Sequence, residues 1–273
     1  MIGFINKKIQ KIDVMNEARI IGIISGKGGV GKTTLTVNLG MALKNLGNDV
    51  TLIDADFSAS NLGVYLGQYD HPVKIQKVLR GEARVDQAIF RHPTGVKAVT
   101  SSKSINQAEP STAMLRDILE TASKGEDFVL VDCPPGIGTT VEGIIEACDE
   151  LIVVTMPTQT ASVNAAQIMQ ECRMLEKPVL GTVLNKVEDN PEKELVNREV
   201  EMMTDSNLLA TIPYDQKMKE SLFENTALVT YDPLSPASIA IKQLAANLSG
   251  EEYERPKLLK AKRKMNRIKS ILN

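Results

Sequence analysis

The chain has 273 residues, of which 42% are hydrophobic and 24% are charged, and its formal net charge is −2. These values are ordinary for a globular protein, and no apolar run approaches the roughly 20 residues that a membrane-spanning helix needs. The first residues do not have the pattern of a signal peptide. The three cysteines, Cys133, Cys148 and Cys172, form no C-x-x-C pair, so we expect reduced thiols in a cytoplasmic protein.

Residues 1–18 are predicted to form a short amphipathic segment of their own. Four isoleucines share one helical face and three lysines lie opposite them: Ile2, Ile5, Ile9 and Ile12 against Lys7, Lys8 and Lys11. A face of this kind favours either a membrane or partner contact or packing against the core, and the pattern does not decide between them.

Residues 19–250 are predicted to form one α/β domain. Strand-like apolar runs lie at 19–25, 49–54, 96–101, 128–132, 151–155, 179–184 and 208–212. Helical patterns separate them at 33–46, 74–80, 85–91, 111–123, 140–148, 161–176, 192–204, 216–224 and 235–248. This alternation predicts a mostly parallel, twisted sheet of about seven or eight strands with helices on both faces. Such sheets bind their ligands at the carboxyl ends of the strands.

The first predicted strand leads into a phosphate-binding loop. Residues 26–34 fit the spacing G-x-x-x-x-G-K-[ST]. The glycines let consecutive backbone N–H groups face phosphate oxygens, Lys32 reaches the terminal phosphates, and the Thr33 hydroxyl holds Mg²⁺. We therefore expect a nucleotide site at Gly26, Lys27, Gly28, Gly29, Val30, Gly31, Lys32, Thr33 and Thr34.

A second lysine in this loop points from nucleotide binding in general to one family of ATPases. With Lys27 after the first glycine, the run resembles the deviant Walker A sequence K-G-G-x-G-K-T of the MinD/ParA family of ATPases. In that family the extra lysine reaches the nucleotide of the other subunit. The resemblance therefore implies ATP and Mg²⁺ as ligands, an ATP-dependent homodimer, and catalytic roles for Lys27 and Lys32.

Aspartates follow two of the predicted strands. The resemblance implies that Asp54 supports the Mg²⁺ site and that Asp56, in the loop beyond it, is catalytic because it orients the attacking water. The run 128–132 ends in Asp132, the carboxylate of a Walker B pattern, which holds Mg²⁺. The D-x-P-x-G sequence that starts there resembles a switch of the same family, and implies that Gly136 places its N–H near the γ-phosphate. The predicted metal site is thus Thr33, Asp54 and Asp132.

The base site is predicted at the ends of two later strands. By resemblance, the adenine contacts are Asn185 and Lys186 after one strand and Pro213, Tyr214 and Asp215 after the other. The run 185–188 also comes close to the N-K-x-D guanine signature, with Glu188 in place of the aspartate. GTP is therefore the alternative to ATP.

Residues 251–273 are predicted to form a basic amphipathic C-terminal helix. Residues 256–273 carry seven Lys or Arg and no acid, which leaves −9 on the rest of the chain. The apolar stripe comprises Leu258, Ala261, Met265, Ile268 and Leu272, with Lys260, Arg263, Lys264 and Arg267 on the other side. This pattern favours a helix lying in the surface of an anionic membrane, through Leu258, Met265, Ile268 and Leu272, and it resembles the C-terminal targeting helix of MinD. A helix docked on its own domain, a frayed tail and a partner groove are the alternatives.

Together these features predict a MinD-like or FlhG-like positioning ATPase that is slow until it dimerises on ATP–Mg²⁺. We expect it to associate reversibly with the inner face of the cell membrane and to recruit or position an unidentified protein partner in cell division, flagellar placement or another form of spatial organisation. A ParA-type partition ATPase would need a basic DNA-binding face, which the acidic body disfavours, so no specific nucleic acid is expected. An iron–sulfur carrier would need a C-x-x-C, which this sequence lacks. A nucleotide-dependent scaffold with little hydrolysis and no membrane binding stays an alternative.

Overall fold

The structure, a computed structural model, describes residues 17–68, 71–102, 111–190 and 192–253. Within these ranges the strands are β1 (Arg19–Ile24), β2 (Val50–Asp54), β3 (Ile89–Arg91), β4 (Lys97–Val99), β5 (Phe128–Asp132), β6 (Glu150–Thr155), β7 (Val179–Val187) and β8 (Leu208–Pro213). The helices are α1 (Lys32–Asn45), α2 (Leu62–Tyr65), α3 (Ile75–Leu79), α4 (Val85–Ala88), α5 (Thr112–Ser123), α6 (Thr139–Ala147), α7 (Gln159–Met174), α8 (Asn197–Thr204), α9 (Lys217–Phe223), α10 (Leu228–Tyr231) and α11 (Pro236–Ser249).

The strands form a single eight-stranded sheet in the order β3-β4-β2-β5-β1-β6-β7-β8. All neighbours are parallel except β3 and β4, which are antiparallel. The sequence therefore predicted the fold class correctly. Parallel strands end at the same edge of a sheet, so the loops after β1, β2, β5, β7 and β8 converge on one side of the molecule.

One predicted element is wrong. The pattern at 85–91 predicted a helix, but only Val85–Ala88 is helical and Ile89–Arg91 forms β3. The three residues of β3 pair with β4 across a turn in which the His92 N–H donates to the Val96 carbonyl and Gly95 has a φ of 91°. Pairing with a strand that follows in the chain outweighs a helical pattern barely two turns long.

The core lies in two layers, one on each face of the sheet. Along β1, Ile21 and Ile23 pack into the layer beneath α1 and α11, whereas Ile20 and Ile24 pack into the layer beneath α5, α6 and α7. All four isoleucines are buried, and burying each side chain contributes about 2 kcal/mol. This two-sided burial holds the loop after β1 in a fixed position.

The start of the first strand and the end of the last helix meet. Arg19 Nη1 donates to the Leu248 carbonyl at 2.7 Å, and Arg19 Nε pairs with Glu150. Helix α11 then ends at Ser249, where Gly250 adopts a left-handed conformation with a φ of 73°. The predicted segments 1–18 and 251–273 lie outside the described residues, apart from 17–18 and 251–253, so their roles stay predictions. Among the described helices, none combines the length and the apolarity needed to cross a bilayer.

Candidate functional site

The loop between β1 and α1 forms a phosphate cradle. Gly29 and Gly31 have φ values of 78° and 101°, which side chains other than glycine rarely adopt. Gly31 directly precedes α1, so the first unpaired N–H groups of that helix point into the loop. This local geometry suits an anionic ligand.

The first glycine of the loop is fixed by a neighbouring helix. A Cβ atom at Gly26 would lie 2.0 Å from the carbonyl oxygen of Asn164 in α7. Because real Cβ contacts are essentially never under 3.0 Å, only glycine lets the loop pass so close to the helix.

The two lysines of the loop lie in opposite environments. Lys32 is buried, and its Nζ donates to Ser25 Oγ at 3.0 Å. Burial lowers the pKa of Lys32, and the charges of Asp132, Cys133 and Asp56 oppose that shift. Lys27 is exposed, and its carbonyl accepts from Ser25 Oγ at 2.7 Å.

Asp54 and Asp132 end neighbouring strands in register and are both buried. Thr33 Oγ1 donates to Asp132 Oδ2 at 2.6 Å, while Asp132 Oδ1 is buried with no hydrogen-bond partner. Burial raises the pKa of Asp132 to about 8, with a further contribution from the charge of Asp54. Burial also raises the pKa of Asp54 to about 6, against the opposing hydrogen bonds from Ser60 and Ser101.

This group of oxygens fits a divalent cation. A buried carboxylate oxygen without a partner is costly, and a cation or a water in its coordination shell would satisfy it. Hydroxyl and carboxylate oxygens are the ligand types that Mg²⁺ prefers. The structure thus brings the three predicted metal residues, Thr33, Asp54 and Asp132, to one place, and their role as ligands stays a prediction.

Asp56 is held by the turn that follows it. Its Oδ1 accepts from the Ser58 N–H at 3.2 Å, from Ser58 Oγ at 2.8 Å and from the Ala59 N–H at 2.9 Å. Its own N–H donates to Asp54 Oδ1 at 3.2 Å. These contacts fix the carboxylate beside the cradle, where it can accept a hydrogen bond from a ligand.

A cavity of about 470 Å³ opens over the cradle. The predicted residues that line it are Gly28, Gly29, Gly31, Lys32, Thr33, Thr34, Asp56, Asn185, Lys186, Pro213, Tyr214 and Asp215. Those that do not line it are Gly26, Lys27, Val30, Asp54, Asp132 and Gly136. The Gly136 N–H donates instead to the Ser25 carbonyl at 2.9 Å, so its expected contact with a γ-phosphate stays a prediction.

Sequence reasoning missed part of the cavity wall. The unpredicted lining residues are Ala59, Asn61, Tyr65, Pro135, Met218, Lys219 and Leu222. The Tyr65 hydroxyl lies 3.4 Å from Thr34 Oγ1 and joins α2 to the start of α1. Leu222 lies in the helix predicted at 216–224 and Tyr65 lies in the short helix α2 beyond Asp56, but neither residue belongs to a site motif.

Asn185 and Lys186 brace the cradle from the side. Asn185 Nδ2 donates to the Val30 carbonyl at 2.8 Å, and Lys186 Nζ donates to the Gly29 carbonyl at 2.7 Å. Lys186 has a φ of 60°, which places it in the left-handed region. Both side chains therefore hold the loop as well as line the cavity, a role that the sequence did not predict.

Of the residues considered for base recognition, Asp215 lines the cavity and Glu188 does not. Asp215 lines the cavity, and its Oδ2 is buried with no hydrogen-bond partner. Glu188 does not line the cavity, and its N–H is bound by the carboxylate of Glu194. The residue that suggested guanine recognition thus lies away from the cavity.

Comparison with known proteins finds similarity over most of the chain. A family model described as ParA, NUBPL iron-transfer P-loop NTPase, matches residues 16–249. An uncharacterized ATP-binding protein of Methanocaldococcus jannaschii is 33% identical over 237 residues, which cover 86% of this chain and 89% of that protein. The septum site-determining protein MinD of Synechocystis is 31% identical over 242 residues, covering 86% and 90%. The structure of MinD from Pyrococcus horikoshii complexed with Mg-ADP superposes with a TM-score of 0.78 at 29% identity, over 85% of this chain and 96% of that one.

Proposed function

The chain belongs to the ParA/MinD family of P-loop NTPases, and from this premise we propose that it is an ATPase that hydrolyses ATP to ADP and phosphate as a slow, dimerisation-dependent switch. The observation that carries the proposal is a cavity lined by the glycine cradle, the buried Lys32 and Thr33, whose hydroxyl bonds an Asp132 carboxylate with one oxygen left unpartnered. Each of these meets a different part of a magnesium nucleotide.

Adenine is the base that we propose for the outer part of the cavity. The unpartnered Oδ2 of Asp215 is a suitable acceptor for an amino group or a ribose hydroxyl. Glu188, the residue that suggested guanine, does not line the cavity, and this supports adenine over guanine. The similarity to an ATP-binding protein supports the same choice.

Different residues are proposed to carry out different parts of phosphoryl transfer. Bound Mg²⁺, held by Thr33, Asp54 and Asp132, would supply charge neutralisation on the phosphate oxygens. The backbone N–H groups of the cradle and the Lys32 ammonium bind the phosphates. Asp56 orients the attacking water, and the three hydrogen bonds from Ser58 and Ala59 fix its carboxylate for that role.

Lys27 is proposed to act on a second copy of the chain. Its side chain is exposed and does not line its own cavity, although its carbonyl is held by Ser25. A lysine placed in this way suits the phosphates of a nucleotide brought in by a facing subunit. Turnover would then depend on an ATP-bound homodimer, as the resemblance implies.

The basic C-terminal segment is proposed to place the protein at a membrane. Residues 256–273 carry seven positive charges and an apolar stripe, which suits the surface of anionic lipids. Two such segments in a dimer bind by avidity, so ATP would control a cytoplasmic protein's residence on the inner face of the membrane, where it recruits or positions a protein partner. Iron transfer is not proposed, because the chain has three buried cysteines and no C-x-x-C.

The ATPase proposal is tested by complementation between two inactive variants. Lys27→Ala lacks the lysine given to the partner, and Asp56→Asn lacks the residue that orients water, so each alone should lose at least 90% of turnover. Mixed in equal amounts, half of the dimers are heterodimers with one intact site, and activity should return to about a quarter of the parental value. Lys193→Ala, at an exposed lysine outside the cavity, is the matched control and should keep parental turnover.

The complementation result separates three outcomes. Recovery in the mixture supports a shared site. Parental activity without recovery in the mixture would contradict action across a dimer, and an inactive parental chain would contradict the ATPase itself. Sedimentation with anionic vesicles, for the full chain and for a chain ending at Gly250, tests the membrane role, since pelleting should require both ATP and the segment 251–273.

A further inference from the structure

Ser60 stands at the far end of the loop that carries Asp56, and the geometry points to a role in hydrolysis. We propose that Ser60 is a positioning residue that keeps this loop in the conformation in which Asp56 orients water. The inference rests on the proposed ATPase function. Ser60 does not line the cavity, although Ala59 and Asn61 on either side of it do.

The Ser60 hydroxyl lies between two acceptors. Its Oγ is 2.8 Å from Asp54 Oδ2 and 2.9 Å from the Ser101 carbonyl oxygen. Ser60 is partly buried, so water has limited access to replace these contacts. One hydroxyl thus joins the metal-side carboxylate to the end of a different strand, 41 residues away in the chain.

The Asp54 carboxylate is hydrogen-bonded to both ends of the loop. Its Oδ1 accepts the Asp56 N–H, where the loop begins, and its Oδ2 meets the Ser60 hydroxyl, where the loop ends. The turn between them holds the Asp56 carboxylate through Ser58 and Ala59. Without the Ser60 contact, the loop would be held by this carboxylate at one end only.

The Ser101 side of the bridge is held by further hydrogen bonds. The Ser101 hydroxyl approaches the Asp56 carbonyl at 3.4 Å, which adds a weaker contact to the same loop. The next residue, Ser102, is held at its N–H and carbonyl by the buried side chain of Gln76, at 3.0 and 2.8 Å. Ser60 therefore joins the loop to the segment after β4, whose hydrogen bonds to Gln76 lie outside the cavity lining.

The consequence for catalysis follows from where the contacts lie. The backbone N–H groups proposed to bind the phosphates belong to the glycine cradle, whereas the Ser60 hydroxyl bonds Asp54 and Ser101. Because Asp54 is also a proposed metal residue, the comparison is made at saturating Mg²⁺. Water orientation depends on the Asp56 carboxylate, and displacements well below 1 Å are enough to slow such a step. Loss of the Ser60 hydroxyl should therefore reduce kcat far more than it raises KM for ATP.

The test is steady-state ATP hydrolysis at a protein concentration where turnover per monomer no longer rises. We expect Ser60→Ala to lower kcat about tenfold with KM for ATP within about twofold of the parental value. Ser60→Thr, which keeps the hydroxyl, should recover at least half of kcat. Ser123→Ala is the matched control, because that hydroxyl donates only to the Glu120 carbonyl on an exposed part of α5.

Thermal unfolding of the four proteins completes the test, and the melting temperatures should agree within about 3 °C. Three results would overturn the inference while leaving the ATPase intact: parental kcat in Ser60→Ala, an equal change in kcat and KM, or Ser60→Thr as slow as Ser60→Ala. An inactive parental chain would instead refute the proposed function and this inference with it.

Discussion

Replacement of Gly26 by alanine tests the close contact between the phosphate cradle and helix α7, which covers one face of the sheet. The added Cβ would lie 2.0 Å from the Asn164 carbonyl oxygen and 2.5 Å from its carbonyl carbon. Since real Cβ contacts are essentially never under 3.0 Å, the loop or the helix must move by about 1 Å. The neighbouring atoms belong to the main chain in the middle of a helix, so no side-chain rotation relieves the clash.

The size of the effect follows from this geometry. Overpacking a tight site costs about 1–3 kcal/mol, and we expect about 3 kcal/mol because backbone must shift. For a domain of this size, each kcal/mol lowers the melting temperature by about 2–4 °C, which predicts a fall of about 6–12 °C.

Two glycines in the same loop provide matched controls. Alanine at Gly28 would meet only Pro135, at an ordinary distance of 3.8 Å, and should leave the melting temperature nearly unchanged. Alanine at Gly29 meets nothing within 4 Å but must adopt a φ of 78°, which costs about 1 kcal/mol and predicts a fall of about 2–4 °C.

The assay is thermal unfolding followed by circular dichroism without nucleotide, because bound ATP would add stability by mass action. From highest to lowest, the expected order of melting temperatures is Gly28→Ala, Gly29→Ala and Gly26→Ala. If Gly26→Ala melts within 1 °C of Gly28→Ala, the close approach of α7 to the loop is not the constraint that we infer.

Two further predictions concern the same site. Because burial raises the pKa values of Asp54 and Asp132 to about 6 and about 8, their stabilising contribution is full below about pH 4 and is lost as the pH rises through those values. The melting temperature in EDTA should therefore fall from pH 5 to pH 9, and Asp132→Asn should remove the upper part of that fall; parallel curves for the two proteins would contradict this. Lys186→Met removes the bond to the Gly29 carbonyl and should weaken ATP binding about fivefold in calorimetric titrations with little change in melting temperature. Unchanged affinity would show that Lys186 does not brace the cradle.

The parts of the site that follow strand ends were predictable from the sequence. An apolar run that ends in aspartate places its carboxylate at the ligand-binding edge of a parallel sheet, and this is why Asp54 and Asp132 were predicted together and lie together. The glycine pattern likewise predicted the cradle, because φ values near 78° and 101° are available to glycine and to few other residues.

The contacts that cross long stretches of the chain were not predictable. Lys186 reaches Gly29 across 157 residues and depends on its own left-handed backbone, for which its residue type gives no signal. Helices α2 and α10 have four residues each, too few for a helical pattern to repeat. The strand β3 depends on pairing with β4, a tertiary contact that overrides local preference.

The bond between Arg19 and the Leu248 carbonyl has a use in protein engineering. It brings the first residue of β1 within reach of the last turn of α11, so a short flexible peptide is enough to join the two ends of the domain. New ends could then be opened at the exposed turn around Gly81, where the backbone has a φ of 70° and open space around it. Such a circular permutant keeps the central strands and the cavity intact. It would also carry any fused reporter on the turn after α3, leaving the junction between β1 and α11 closed.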